Sequence, residues 1–331
     1  MWTRLLAIAR TTFLETLRQP IYGILIWTTV ALLMLNPLLA AYSLEHGKDI
    51  KIMIDVALST LLLYGLMVSV FSATGVITRE IESYTVLTVL SKPVSRATFL
   101  IGKYLGVAGA IVVGFYFLVV VFLMTMREGV LETSAQHADW PTIVFGLAAL
   151  GISLTVATFC NYVYGWHFFS TLTAWITPLA TVALAAALCF KRGEWTLQNP
   201  AFEFGSEGQF GGPEIFYACL LVLLATLVLT AFAVAISTRF SQVMTLTFCA
   251  GVLLLGLLSD YYIGRRTDEG LLFRLLYVAI PNFQFYWVGD ALTQDLKIAW
   301  QHVARVAGYT AAYIAAVLAL GVAVFEPREV G

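Results

Sequence analysis

Between residues 140 and 190 the chain carries no Asp, Glu, Lys or Arg. A soluble domain, in which about a quarter of residues are charged, does not tolerate such a run. It is also too long for one membrane helix. At ~1.5 Å per residue it would reach about 75 Å, more than twice a ~30 Å hydrocarbon core. Its most polar and turn-prone stretch, NYVYGWH at 161–167, lies near the middle. The run therefore reads as a hairpin of two spanning helices.

The rest of the chain repeats the pattern. Of 331 residues, 60% are hydrophobic and only 12% charged, and the mean hydropathy is +0.86. This excludes an ordinary soluble enzyme, a disordered chain and a secreted disulfide scaffold. A formal net charge of −1 argues against a nucleic-acid binder, which would need a basic face. Apolar runs between charged residues predict spans at 21–42, 56–78, 100–126, 142–163, 168–190, 215–237, 243–262 and 303–325. The expected class is an all-α polytopic membrane protein with about eight transmembrane helices.

Residues 1–20 form a different element. Arg4, Arg10 and Arg18 are spread out and no small-residue cleavage site follows a short apolar core, so no signal peptide is expected. At helical spacing Trp2, Leu5, Leu6, Ala9, Phe13 and Leu17 share one face, and Arg4, Thr11, Glu15 and Arg18 the opposite one. That predicts an amphipathic interfacial helix, ended at Gln19-Pro20, where proline breaks the helical ladder.

Basic residues near the early spans set the orientation. Arg4, Arg10, Arg18, Arg79, Lys92, Arg96 and Lys103 stand against Lys48 and Lys51 in the first loop on the other side. This predicts cytoplasmic N- and C-termini.

The longest loop on that side, residues 79–103, reads REIESYTVLTVLSKPVSRATFLIGK. Tyr84, Leu87 and Leu90 recur at helical spacing after Glu80 and Glu82, which suit the positive end of a helix dipole. Lys92 and Pro93 close this short helix, and Ser95 is placed to cap the next one. By physics alone two readings stand level: a helix resting on headgroups, or a coupling helix docking into a partner's groove.

This loop resembles that of type 2 ATP-binding-cassette (ABC) exporter permeases. Members show an acidic cluster, a Thr-rich apolar helix, a SKPVSR turn and a GK-x-x-G start to the next span. The matching residues here are Glu80, Glu82, Thr85, Leu87, Leu90, Ser91, Lys92, Pro93, Val94, Ser95, Arg96, Gly102, Lys103 and Gly106. The chain departs at Tyr84, where many members carry Gly. The N-terminal helix, AISTRFSQV at 235–243, LLYVAIPNFQFYWVGDAL at 275–292 and the FEPRE ending are also similar to the family.

The resemblance implies a connecting helix at 1–20 and a single transmembrane domain at 21–331. Within it lie a coupling segment at 79–96 and an outer re-entrant segment at 271–295. The partner-docking residues are then Glu80, Glu82, Tyr84, Thr85, Leu87, Leu90, Lys92, Pro93 and Arg96. It further implies a cell (inner) membrane location and a second permease subunit, identical or paralogous. Two copies of an ABC ATPase subunit would hydrolyse ATP with Mg, and this chain would be no enzyme and bind no cofactor itself. The usual six-span core is interrupted at 133–214 by the hairpin and a Gly- and Phe-rich outer loop. That loop reads either as a lid or docking site, or as an exposed connection. The class that competes with an exporter is a non-transporting membrane anchor or assembly subunit.

Other chemistry finds little support in the residues. Gly47-Lys48 and Gly102-Lys103 lack the Ser or Thr of a phosphate-binding loop. His46, His137, His167 and His302 are far apart, and Cys160, Cys189, Cys219 and Cys249 show no CxxC spacing. Span centres are almost free of ionisable groups, which counts against an ion-coupled carrier and favours amphipathic or lipid-like cargo. Finally, Gly102, Gly106, Ala110 and Gly114 form a small-residue stripe that serves either a subunit contact or packing within one chain.

Overall fold

The computed structural model describes residues 2–40, 49–82, 95–129, 138–205, 208, 210, 212–294 and 296–325. Over these the chain is helical, with a single isolated antiparallel bridge between Phe190 and Leu197. The helices are α1 (Trp2–Arg18), α2 (Pro20–Ala40), α3 (Asp49–Glu82), α4 (Arg96–Glu128), α5 (Trp140–Tyr164) and α6 (Phe168–Leu188). They continue with α7 (Glu214–Ser237), α8 (Gln242–Tyr262), α9 (Leu271–Ala279), α10 (Gly289–Thr293) and α11 (Trp300–Phe325). Eight of these, α2 to α8 and α11, are long and apolar enough to cross a membrane. The protein is a multi-pass α-helical membrane protein.

The breaks follow local chemistry. Pro20 opens α2 directly after α1 closes at Arg18. Gly165 ends α5 in the left-handed region (φ 67°, ψ 22°), a conformation that costs glycine nothing. Asn161 Nδ2 spans the same turn to the Trp166 carbonyl at 2.6 Å, and α6 begins at Phe168. The hairpin turn thus falls within NYVYGWH. The third helix is longer than its apolar run predicts. It starts at Asp49 and continues through Glu82, because Arg79-Glu80-Ile81-Glu82 contains no Gly or Pro to stop it.

Helices α3, α4 and α7 form the centre. One apolar cluster joins α2, α3, α4, α6 and α7 around Leu33, Leu61, Phe115 and Val222. A second joins α3, α4, α7, α8 and α11 around Val70, Leu100, Leu229 and Cys249. In lipid no hydrophobic force holds helices together, so close packing and hydrogen bonds must. Both appear between α3 and α7. A Cβ on Gly65 would collide with Thr226, and Ser69 Oγ lies 2.8 Å from Thr230 Oγ1. Helix α5, by contrast, buries little of its surface and leans on α6.

Candidate functional site

Successive spans alternate in direction, so α1, the end of α3, the start of α4 and the end of α11 share one end of the bundle. There Ser95 adopts extended backbone angles and its hydroxyl accepts the Thr98 N–H at 3.2 Å, capping α4. Helix α4 then runs beneath α1. A Cβ on Gly102 would lie 2.8 Å from Ile8 Cγ2, and one on Gly106 would lie 2.6 Å from the Ala9 carbonyl oxygen. Glycine at both positions is what lets the two backbones approach. Between them Lys103, 3% exposed, places Nζ 3.8 Å from Glu15 Oε2 and 5.6 Å from the Phe99 ring centroid. The GK-x-x-G segment is therefore a seat for α1, with a furrow for its backbone and a cation for its one acid.

This arrangement alters the face expected of α1. Leu5, Thr12, Thr16 and Leu17 are buried, and the Thr16 hydroxyl is satisfied by the Thr12 carbonyl at 2.9 Å. Trp2 and Leu6, placed on the same stripe by spacing, are exposed. A narrow glycine furrow accepts Ile8, Ala9 and Thr12 and leaves the bulkier pair outside.

The small-residue stripe continues inward. The Ala110 carbonyl accepts the Tyr22 hydroxyl at 2.7 Å, and a Cβ on Gly114 would meet the Tyr64 and Tyr22 hydroxyls at 2.5 and 2.6 Å. Gly102, Gly106, Ala110 and Gly114 are all buried against α1, α2 and α3 of the same chain. Of the docking residues, Glu80 and Glu82 lie in the last turn of α3, and Arg96 is the first residue of α4. Tyr84, Thr85, Leu87, Leu90, Lys92 and Pro93 lie outside the described residues. On the same end, Arg239 donates through Nε and Nη2 to the Val324 carbonyl at 3.2 and 2.7 Å, tying the turn after α7 to the end of α11.

A second polar centre lies at the opposite end and was not read from the sequence. Arg127, fully buried, sets Nε 3.2 Å from Asp139 Oδ2 and 3.8 Å from Glu203 Oε1, and donates from Nη2 to the Phe190 carbonyl at 2.6 Å. Asp139 also accepts the Thr142 hydroxyl and the Gly193 N–H. Gln198 donates to Glu203 Oε1 at 2.9 Å. This network ties the loop after α6 to the end of α4 and the start of α5. Aromatic contacts add to it: Trp195 sits against Phe190 and Phe145, and Phe204 against Phe216. The described part of the loop after α6 is thus docked on the bundle.

Residues 264–293 form short helical pieces between α8 and α11. Asn282 caps one of them and also donates to the Tyr277 hydroxyl, which itself donates to Asp260. The Ser170 hydroxyl donates to the His167 carbonyl at 3.0 Å. Cys160, Cys189, Cys219 and Cys249 are free thiols. Among the described residues no group of His, Cys, Asp or Glu is arranged to hold a metal ion. Comparison with family models, curated proteins and solved structures returns no match to this chain.

Proposed function

We propose that this chain is the membrane-spanning permease subunit of an ABC exporter, driven by ATP hydrolysed on a separate subunit. The observation that carries the proposal is the 79–106 segment. Its acidic cluster, SKPVSR turn and GK-x-x-G start resemble the coupling region of such permeases. The geometry around it is compatible with that task. Helix α3, which ends at this segment, is continuous over 34 residues, about 50 Å at ~1.5 Å per residue. A push at its end would be carried across the bilayer by one stiff rod. The α4 end of the same segment is coupled to α1 through Gly102, Lys103 and Gly106, so α1 would move with it.

On this reading the N- and C-termini face the cytoplasm of a cell (inner) membrane. Two ATPase subunits carrying ATP and Mg dock at Glu80, Glu82, Tyr84, Thr85, Leu87, Leu90, Lys92, Pro93 and Arg96, and a second permease subunit, identical or paralogous, completes the path. Residues 271–295 are the outer re-entrant segment, and α5–α6 with the following loop are an insertion into a six-span core. The scarcity of charge in the spans fits an amphipathic or lipid-like cargo.

The test is affinity isolation of the tagged chain from its own membranes. A nucleotide-hydrolysing subunit should co-purify, and the double variant Leu87→Asp/Leu90→Asp should lose it while keeping a monodisperse membrane part. Unchanged co-purification of the ATPase with that variant would defeat the coupling assignment. Isolation of a stable complex without any ATPase would favour an anchor or assembly subunit.

A further inference from the structure

A cavity of about 290 Å³ opens between α2, α4, α5 and α6. Trp27, Met34, Phe117, Met124, Leu147 and Ile176 supply most of its wall. Met34 and Leu147 are 59% and 63% exposed, so the cavity opens sideways, toward the hydrocarbon that surrounds spanning helices. Among the described residues one ionisable side chain lines it, Glu128 at the end of α4. The polar neighbours there are already engaged. Thr125 donates to the Phe122 carbonyl, Thr142 to Asp139, and the Glu128 carboxylate takes the Asp139 N–H at 3.2 and 3.3 Å. The Arg192 guanidinium reaches the same spot and donates to the Glu128 carbonyl.

The site is therefore hydrocarbon along its length, with a carboxylate and a guanidinium together at one end. Taking ~30 Å³ for each water-sized group, it holds about ten, the scale of a stretch of one acyl chain. An apolar space beside lipid has hydrocarbon at hand, and water gains too few partners there to compete. Charge complementarity then selects the head. A zwitterionic headgroup can set its ammonium against Glu128 and its phosphate against Arg192, whereas an anionic head brings no cation to the carboxylate.

We infer that this cavity holds one acyl chain of a zwitterionic phospholipid, with the headgroup at the Glu128–Arg192 end. The α5–α6 hairpin supplies half the wall, so lipid binding is a task for this hairpin. The inference is independent of the exporter reading, since its readout involves neither ATP nor a partner.

The experiment uses the full chain reconstituted in vesicles containing a trace of phosphatidylethanolamine with a diazirine within one acyl chain. A parallel sample carries the same chain on phosphatidylglycerol. After illumination, adducts are located by mass spectrometry. Adducts should concentrate on Met34 and Leu147 over the comparably exposed Leu254 and Leu258 of α8, should extend to the less exposed Met124, and should be more abundant with phosphatidylethanolamine. Gly146→Leu fills the cavity, its Cβ meeting only the flexible Met124 tip, and should remove the cavity adducts while sparing those on α8. Glu128→Gln should narrow the preference between the two lipids. Adducts that simply follow exposure in the unmodified chain, or an equal or greater yield with phosphatidylglycerol, would overturn the inference. The distribution in the unmodified chain decides the matter even if Gly146→Leu does not fold.

Discussion

Replacing Arg127 by methionine leaves Asp139 and Glu203 close together in a buried site with no cation between them. Removing one partner of a buried ionic cluster typically costs about 3–5 kcal/mol, because the remaining charge stays desolvated. Several bonds remain. Asp139 keeps the Thr142 hydroxyl and the Gly193 N–H, and Glu203 keeps the Gln198 amide. Those bonds place the loss at the lower end, about 3 kcal/mol, with the Phe190 carbonyl also losing its donor. Removing all three charges together, as R127M/D139N/E203Q, takes away the desolvation cost along with the attraction, and should recover most of that loss. Reversible unfolding in mixed micelles measures both variants against the parent. Protease sensitivity of residues 189–213 should rise in R127M and fall back in the triple variant. An R127M protein within about 0.5 kcal/mol of the parent, or a triple variant as unstable as the single one, would refute this reading of the Arg127 cluster.

Two further expectations concern other elements. Gly106→Ala drives a Cβ into the Ala9 carbonyl and should cost about 1–3 kcal/mol, loosening α1 as seen by faster amide exchange there. Gly109→Ala has its nearest contact at 3.4 Å, from Phe13. It should be neutral or stabilise by up to ~1 kcal/mol; equal losses at the two glycines would contradict the furrow. The Tyr286 phenol is pushed from its ordinary 10.0 up to about 12, chiefly by burial, with the Thr310 hydrogen bond opposing. Because the folded state holds this proton more tightly than the unfolded state, its contribution to stability is complete below 10.0 and is lost as pH rises toward about 12. Tyr286→Phe should flatten that alkaline decline. An unchanged slope would show that Tyr286 does not report the packing of 283–286 on α11.

The spans were legible because a bilayer demands long charge-free runs, and the chain supplies them with few interruptions. The hairpin turn was legible too, since Gly165 and Asn161 are the residues a helix end uses. Helix length was less so. The end of an apolar run at Thr78 does not end a helix when Arg79-Glu80-Ile81-Glu82 can continue it. The seat of α1 shows a different limit. Spacing put Trp2, Leu5, Leu6 and Ala9 on one face; the partner surface, a glycine furrow on a helix far along the chain, meets Leu5 and Ala9 but adds Ile8 and Thr12 and leaves Trp2 and Leu6 exposed. The Arg127 cluster was the least legible feature. Its members lie at the ends of apolar runs, where charges ordinarily meet water, and Glu203 comes from a loop whose path no periodicity predicts. The usable signal was an Arg-Glu pair closing one long span and an Asp opening the next, directly before the charge-free hairpin.

We propose that an ATPase drives the membrane part through residues 79–96. Placing a photoreactive amino acid at position 87 or 90 and illuminating native membranes tests it most directly. A covalent adduct with a nucleotide-hydrolysing subunit is expected, its yield changing when ATP is held unhydrolysed. Adducts confined to lipid, or to a partner without nucleotide-binding activity, would contradict it.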